Sequence, residues 1–169
     1  YFEMRAQMAG GQGMWPAFWM LAADKSWPPE IDIVEFVGKD PNYAYTTLHS
    51  KDGNSGKANW STTDLSKDFH TYGVDWTAST ITFYFDGKAA FSRATPSDMH
   101  KPMYMIANLA VGGNWVGSAA GESAQMNIDY IRAYSSNPGV GSTAAQPISS
   151  PDGVDTGQFN ARGAAPGND

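Results

Sequence analysis

Short segments in which apolar and polar residues alternate recur along the first 134 residues. Tyr1–Met8, Tyr43–Ser50 and Gln125–Tyr134 alternate with a period of two, which is the pattern of strands that bury one face. Met14–Leu21 and Met103–Val111 are richer in apolar and aromatic residues, which indicates more deeply buried strands. Nowhere does a convincing helical period appear. These patterns predict a chain built from many short strands.

A hairpin signal lies in the second half of this region. Asp86-Gly87 separates the strand-like runs Ile81–Phe85 and Lys88–Ser92, and Asp-Gly suits the tight turn whose twist matches paired strands. The composition points the same way, because 13% of the residues are aromatic, only 17% are charged, and 18 are Gly and 10 are Pro. We therefore predict an all-β fold, either a β-sandwich or a jelly roll.

The composition changes near residue 135. Residues 1–134 hold all 6 Trp and all 8 Tyr, whereas residues 135–169 are mostly Gly, Ser, Ala, Pro, Asp and Asn. Such a segment buries too little apolar area to offset its ordering entropy. We predict one domain over 1–134 and a disordered linker or tail over 135–169.

Charge and cysteine content exclude several classes of function. The net charge is −6 with no basic run, which argues against nucleic-acid binding. No apolar stretch approaches the roughly 18 residues that a membrane span needs. The absence of cysteine excludes disulfides, thiolate metal sites and thiol nucleophiles.

Three acids stand close together in the segment from residue 30 to residue 36. Glu30 and Asp32 share a face in a regular strand, but Glu35 would point to the opposite, apolar face, where a lone carboxylate is costly. A β-bulge around Ile33-Val34 would return Glu35 to the face of the other two acids. Clustered carboxylates shift one another's pKa, as glycoside hydrolysis requires. A solvated acidic face and a calcium site are the alternatives.

Aromatic and polar residues flank these acids along the chain. Trp15 and Trp19 have the same strand parity, and flat indoles stack on the apolar faces of sugar rings. Trp115 follows a Gly-Gly turn, Asn108 is polar within an apolar run, and His49 follows the acids on a strand-like segment. We predict that they line a carbohydrate groove. The alternative for each is a structural role in the core.

Five blocks of this chain, in this order, resemble glycoside hydrolase family 16. The acidic block matches the bulged form of the family signature, with two residues between the Asp and the second Glu. The resemblance covers about residues 1–134 and implies a concanavalin A-like jelly roll. The blocks are Gly13–Met20, Glu30–Glu35, Phe69–Trp76 with the following Ile81–Gly87, Ile106–Trp115 and Ile128–Tyr134.

The resemblance also implies a role for each site residue. Glu30 would be the nucleophile, Glu35 the general acid/base, and Asp32 would tune their protonation. A structural calcium is common in the family, and Asp129 would be one ligand, although catalysis would need no cofactor. The residues implied to line the glycone side are Trp15, Trp19, His49, Asn108 and Trp115.

The resemblance implies a retaining endo-β-glycanase that cleaves β-1,3 or mixed β-1,3-1,4 glucan by double displacement. Alternatives are a transglycosylase, a hydrolase of a bacterial exopolysaccharide or marine galactan, and a non-catalytic β-glucan-binding module on the same fold. A polysaccharide substrate implies a secreted protein, and we expect a monomer with no membrane or nucleic-acid partner. Because the family has further strands before the block at Tyr1, we expect an N-terminally incomplete sandwich with open edges.

Overall fold

A computed structural model describes residues 1–61, 63–119, 121 and 123–139 of the 169-residue chain. Within these ranges every regular element is a strand, and no helix exists that could cross a membrane. The all-β prediction is therefore confirmed. The predicted tail at 135–169 lies outside the described residues from residue 140 onward. The ten strands are β1 (Phe2–Gln7), β2 (Met14–Ala22), β3 (Glu30–Phe36), β4 (Tyr43–His49), β5 (Ser55–Ser61), β6 (His70–Trp76), β7 (Thr80–Phe85), β8 (Lys88–Ala94), β9 (Met103–Val111) and β10 (Asn127–Ala133).

The strands form two antiparallel sheets of five. Sheet A has the order β10-β1-β6-β7-β8, and sheet B has the order β5-β4-β3-β2-β9. The hairpin predicted at Asp86-Gly87 joins β7 to β8, and Asp86 and Gly87 both have positive φ. Strand β5 at Ser55–Ser61 was not predicted, because its sequence has no run of branched residues.

The core lies between the two sheets. Phe18 and Met20, which were predicted to be interior, have no exposed surface. Strand β9 was expected to be deeply buried but has only partly buried or exposed side chains, because it lies at the edge of sheet B. Because successive side chains of a strand point to opposite faces, Trp15 and Trp19 of β2 lie on the outer face of sheet B, away from the core. The largest contributors from the two sheets are Met4, Tyr72, Phe83, Phe18, Met20, Ile31, Phe36 and Leu48.

Apolar side chains are exposed on two edge strands, β9 and β10. Met105 lies opposite the buried Met20 and is 37% exposed, and Ile131 lies opposite the buried Met4 and is also 37% exposed. Directly paired residues share a sheet face, so both side chains point toward the interior. Among the described residues, no strand pairs with the outer edge of β9 or of β10. These are open edges of the kind expected from the sequence.

Candidate active site

A β-bulge in β3 arranges the acids. On β2, Trp19 lies opposite Asp32 and Ala17 lies opposite Glu35, so two residue steps on β2 face three on β3. The register with β4 shifts at the same place. The strand therefore contains one extra residue between Asp32 and Glu35, as predicted.

The bulge separates apolar from acidic side chains. Ile33 and Val34 are both directed into the core and are 2% and 0% exposed. Because two successive residues point inward, Glu35 returns to the outer face that carries Glu30 and Asp32. All three acids consequently lie on the outer face of sheet B.

Asp32 is the most deeply buried of the three acids, with 3% exposure. His49, which lies opposite Glu30 on β4, places its Nε2 3.1 Å from Asp32 Oδ2 and 3.9 Å from Glu30 Oε1. Burial raises the pKa of Asp32, and the nearby imidazole opposes that rise. The same contact with Asp32 raises the pKa of His49. Within the described ranges, His49 is the one cation-forming side chain that the ion pairs place against this group of acids.

Glu35 lies in an aromatic environment. The Trp15 Nε1–H donates a hydrogen bond of 3.2 Å to Glu35 Oε1. Burial raises the pKa of Glu35, the bond from Trp15 opposes the rise, and the charge of Glu30 adds to it. A raised pKa retains a proton on the carboxyl near neutral pH, which is what a general acid needs.

Glu30 is bonded by a different tryptophan. The Trp27 Nε1–H donates to Glu30 Oε2 at 2.7 Å, and the Trp27 ring centroid lies 6.1 Å from that of His49. A charge-assisted bond of this length stabilises a carboxylate in one orientation. Each of the outer two acids therefore accepts an indole N–H.

Aromatic rings surround the Glu35 end of the site. Trp115 packs edge-on against Trp15 with ring centroids 5.2 Å apart, and against Tyr45 at 4.9 Å. Tyr45 lies opposite Glu35 on β4, and Trp115 keeps 37% of its surface exposed. These rings offer flat apolar surface beside the acid.

Trp19 and Asn108 form a pair in the centre of the face. The Trp19 Nε1–H donates to Asn108 Oδ1 at 2.8 Å across the β2–β9 pairing. The amide oxygen of Asn108 is therefore occupied, while its NH₂ group remains the donor available to a ligand.

Two sets of residues were tested for a metal. One ligand atom each from Glu30, Asp32 and His49 lies within 4.8 Å of the others, so this set could hold a cation, but its atoms belong to the acidic site itself. The Asp129 carboxylate accepts a bond of 2.7 Å from Arg5 Nη1. Over the described ranges, Asp129 belongs to no cluster of three His, Cys, Asp or Glu ligands, and the calcium expected there stays a prediction.

Comparison with known proteins identifies the family. The family model of glycosyl hydrolases family 16 matches residues 1–132. The chain belongs to this family. The solved laminarinase catalytic domain of Thermotoga maritima MSB8 is 33% identical with a TM-score of 0.69, covering 78% of this chain and 61% of that chain. The laminarinase of Rhodothermus marinus has a TM-score of 0.72 at 30% identity, covering 78% of this chain and 63% of that one.

A curated family 16 relative is closer in sequence. The endo-1,3-1,4-beta-glycanase ExsH of Rhizobium meliloti (strain 1021) is 50% identical over 139 residues, which are 80% of this chain. The same match covers 30% of the relative, so the chain spans about a third of that protein's length.

The family 16 structure brings together every residue predicted to form the groove. Glu30, Asp32 and Glu35 lie with His49, and the other predicted residues line the same face of sheet B. Two residues in contact with this site, Trp27 and Tyr45, were not predicted. Trp27 lies three residues before Glu30, close enough in sequence to have been a candidate, while Tyr45 shares the parity of His49 on β4.

Proposed function

We propose that this chain is the catalytic part of a retaining endo-β-glycanase that hydrolyses β-1,3 or mixed β-1,3-1,4 glucan. The observation that carries the proposal is the bulge that sets Glu30, Asp32 and Glu35 on one face, with an indole N–H on each outer acid. The printed activities of the relatives, an endo-1,3-1,4-beta-glycanase and laminarinases, support the same substrate class.

The proposed mechanism uses the two outer acids in turn. Glu30 attacks the anomeric carbon while Glu35 protonates the departing glycosidic oxygen, which gives a covalent glycosyl–enzyme. Glu35, now ionised, then accepts a proton from water as that water releases the sugar from Glu30. The raised pKa of Glu35 favours the acid role, and the carboxyl separation required is about 5–5.5 Å.

Asp32 is proposed to adjust the protonation of its neighbours. Its carboxyl is buried beside His49 and is coupled electrostatically to both Glu30 and Glu35. The two glutamates supply the nucleophile and the acid, so the proposed chemistry needs no cofactor. A polymeric substrate lies outside the cell, so we expect the protein to act there, as a monomer.

The endo mode is supported by the shape of the face. Trp27 near Glu30 is 64% exposed and Trp115 near Glu35 is 37% exposed, so aromatic surface continues in both directions from the acids. A polysaccharide can contact rings on both sides of the cleaved bond.

Azide rescue of acid-deleted variants tests the roles of the two glutamates separately. In Glu35→Ala the glycosyl–enzyme forms on an activated aryl glycoside, and azide attacks its opposite face to give a β-glycosyl azide. In Glu30→Ala azide takes the place of the nucleophile and gives the α-azide. Glu3→Gln, which alters an acid on sheet A, is the matched control and should keep wild-type activity.

Proton NMR of laminarin and mixed-linkage glucan digests supplies the stereochemistry. Early β-anomeric reducing ends support retention, and early α-anomers contradict it. Binding of glucan without any cleavage would instead support the alternative of a non-catalytic module.

A further inference from the structure

Trp27 combines two features that seldom occur together. It is the most exposed of the large apolar side chains described, at 64%, yet its indole N–H is bonded within the protein. Its Nε1–H donates to Glu30 Oε2 at 2.7 Å. A single exposed apolar ring needs no explanation by itself. A ring whose N–H is bonded to a carboxylate of the active site does suggest a function.

The segment before Trp27 is braced from a different part of the chain. Asp24 Oδ1 accepts bonds from the backbone N and the Oγ of Ser26, at 3.0 and 2.6 Å. Lys101, in the connection from β8 to β9, donates to both Asp24 Oδ2 and Ser26 Oγ at 3.0 Å. The backbone N of Ala23 also donates to the carbonyl of Pro102 at 2.9 Å. These bonds tie the loop that carries Trp27 to the connection between β8 and β9.

The bond divides the roles of the two oxygens of Glu30. Oε2 accepts the indole N–H, whereas Oε1 faces His49, with Nε2 3.9 Å away. An indole nitrogen is only a donor, so it bonds a lone pair and takes no part in proton transfer. The indole bond therefore anchors Oε2 and leaves Oε1 without this bond.

We propose that Trp27 is a positioning residue for Glu30, fixing Oε2 so that Oε1 is the oxygen directed at the anomeric carbon. This inference rests on the proposed function. In the step concerned, Oε1 forms a bond to the anomeric carbon, the bond from that carbon to the glycosidic oxygen breaks, and the Glu35 proton passes to the departing oxygen. Trp27 loses and gains no proton in this step.

An activated substrate separates this role from that of Trp15. A 2,4-dinitrophenyl β-oligoglucoside has a leaving group that needs no protonation, so its kcat/KM depends on the nucleophile and not on the general acid. Trp27→Phe, measured in the full chain, keeps an aromatic face but removes the N–H. We expect kcat/KM to fall roughly 10- to 100-fold on both this substrate and the polymer, with KM within about threefold.

The matched control is Trp15→Phe, which removes the indole N–H from Glu35 instead. It should lower kcat/KM on the polymer and leave the activated substrate near wild type. Lys101→Met removes the bonds to Asp24 and Ser26, at a distance from the acids. It should lower kcat/KM on both substrates as Trp27→Phe does, but by only about two- to fivefold.

Two results would overturn the inference. One is a Trp27→Phe value within twofold of wild type on the activated substrate. The other is a loss confined to KM, which would make Trp27 a binding surface only. Glu30→Gln in the same assays distinguishes failure of this inference from failure of the proposed function. If Glu30→Gln keeps its activity, the proposed function is wrong. If Glu30→Gln is inactive while Trp27→Phe remains fully active, only the positioning role of Trp27 is wrong.

Discussion

The acidic residues on the outer faces of the two sheets differ in their bonding partners. On sheet A, Glu3 accepts hydroxyl bonds from Tyr1 at 2.9 Å and Tyr130 at 2.7 Å, and Asp129 pairs with Arg5 at 2.7 Å. On sheet B, three acids lie together, and His49 is the cation-forming partner of two of them, Glu30 and Asp32.

The difference shows which face is organised for stability and which for chemistry. A partly exposed pair such as Arg5–Asp129 contributes at most about 1 kcal/mol. Burial of Asp32 and Glu35 beside other acids costs stability and raises the pKa of both. Such an arrangement is typical of functional sites.

Replacing the ionisable group of Asp32 should have the largest effect. Asp32→Asn is expected to lower kcat/KM by roughly 10²-fold or more, because the buried group that couples to both glutamates is lost. The same change should stabilise the fold by about 1–3 kcal/mol at neutral pH. Enzyme kinetics and urea unfolding measure the two effects.

The sign of the stability change follows from linkage. The pKa of Asp32 is raised in the folded state, from 3.8 to about 8, so the native protein holds this proton more tightly than the unfolded chain. Wild-type stability from this group is complete below pH 3.8 and is lost as pH rises toward 8, so the advantage of Asp32→Asn should grow over that window. Equal unfolding free energies of the wild type and Asp32→Asn at neutral pH would contradict the conclusion that burial of Asp32 costs stability.

The alkaline limb of the pH profile tests the Glu35 environment. The bond from Trp15 lowers the pKa of Glu35, so Trp15→Phe should raise that pKa and move the alkaline limb of kcat/KM to higher pH. Trp115→Phe alters the same aromatic cluster without touching that bond and should leave the limb in place. A shift of the alkaline limb to lower pH in Trp15→Phe would show that the Trp15 ring affects the pKa of Glu35 mainly by burying the carboxyl.

The open edges should affect association more than activity. Met105 and Ile131 expose interior-facing apolar surface on unpaired strands, so the 169-residue chain should self-associate at high concentration. Ile131→Lys should reduce this association in sedimentation measurements and leave kcat/KM unchanged. Identical sedimentation of variant and wild type would show that this edge does not drive association.

Removal of a paired charge on sheet A should have the smallest effect. Arg5→Met breaks the ion pair with Asp129 and a contact with the Phe69 ring at 4.8 Å. We expect a loss of no more than about 1 kcal/mol in unfolding free energy, weaker in high salt, with unchanged activity. A large loss of activity in Arg5→Met would mean that the outer face of sheet A contributes to function as well as to stability.

The sequence by itself determined most of the strands and the position of the acids. Alternation along β2 and β3 is a property of adjacent residues, and a five-residue separation between Glu30 and Glu35 can place both on one face only through an extra residue. For the same local reason Trp15 and Trp19 could be assigned to one face and Phe18 to the core.

Only the tertiary structure decided which groups bond to one another. The pairing of β9 with β2 brings Asn108 to Trp19, and the pairing of β4 with β3 brings Tyr45 beside Glu35. The partner of Asp129 was likewise decided across strands, because the pairing of β1 with β10 brings Arg5 to it. Strand composition does not specify register or sheet order, because these depend on how distant segments bury their apolar faces together. The bond from Trp27 to Glu30 depends in the same way on a loop braced by Lys101, 77 positions away from Asp24.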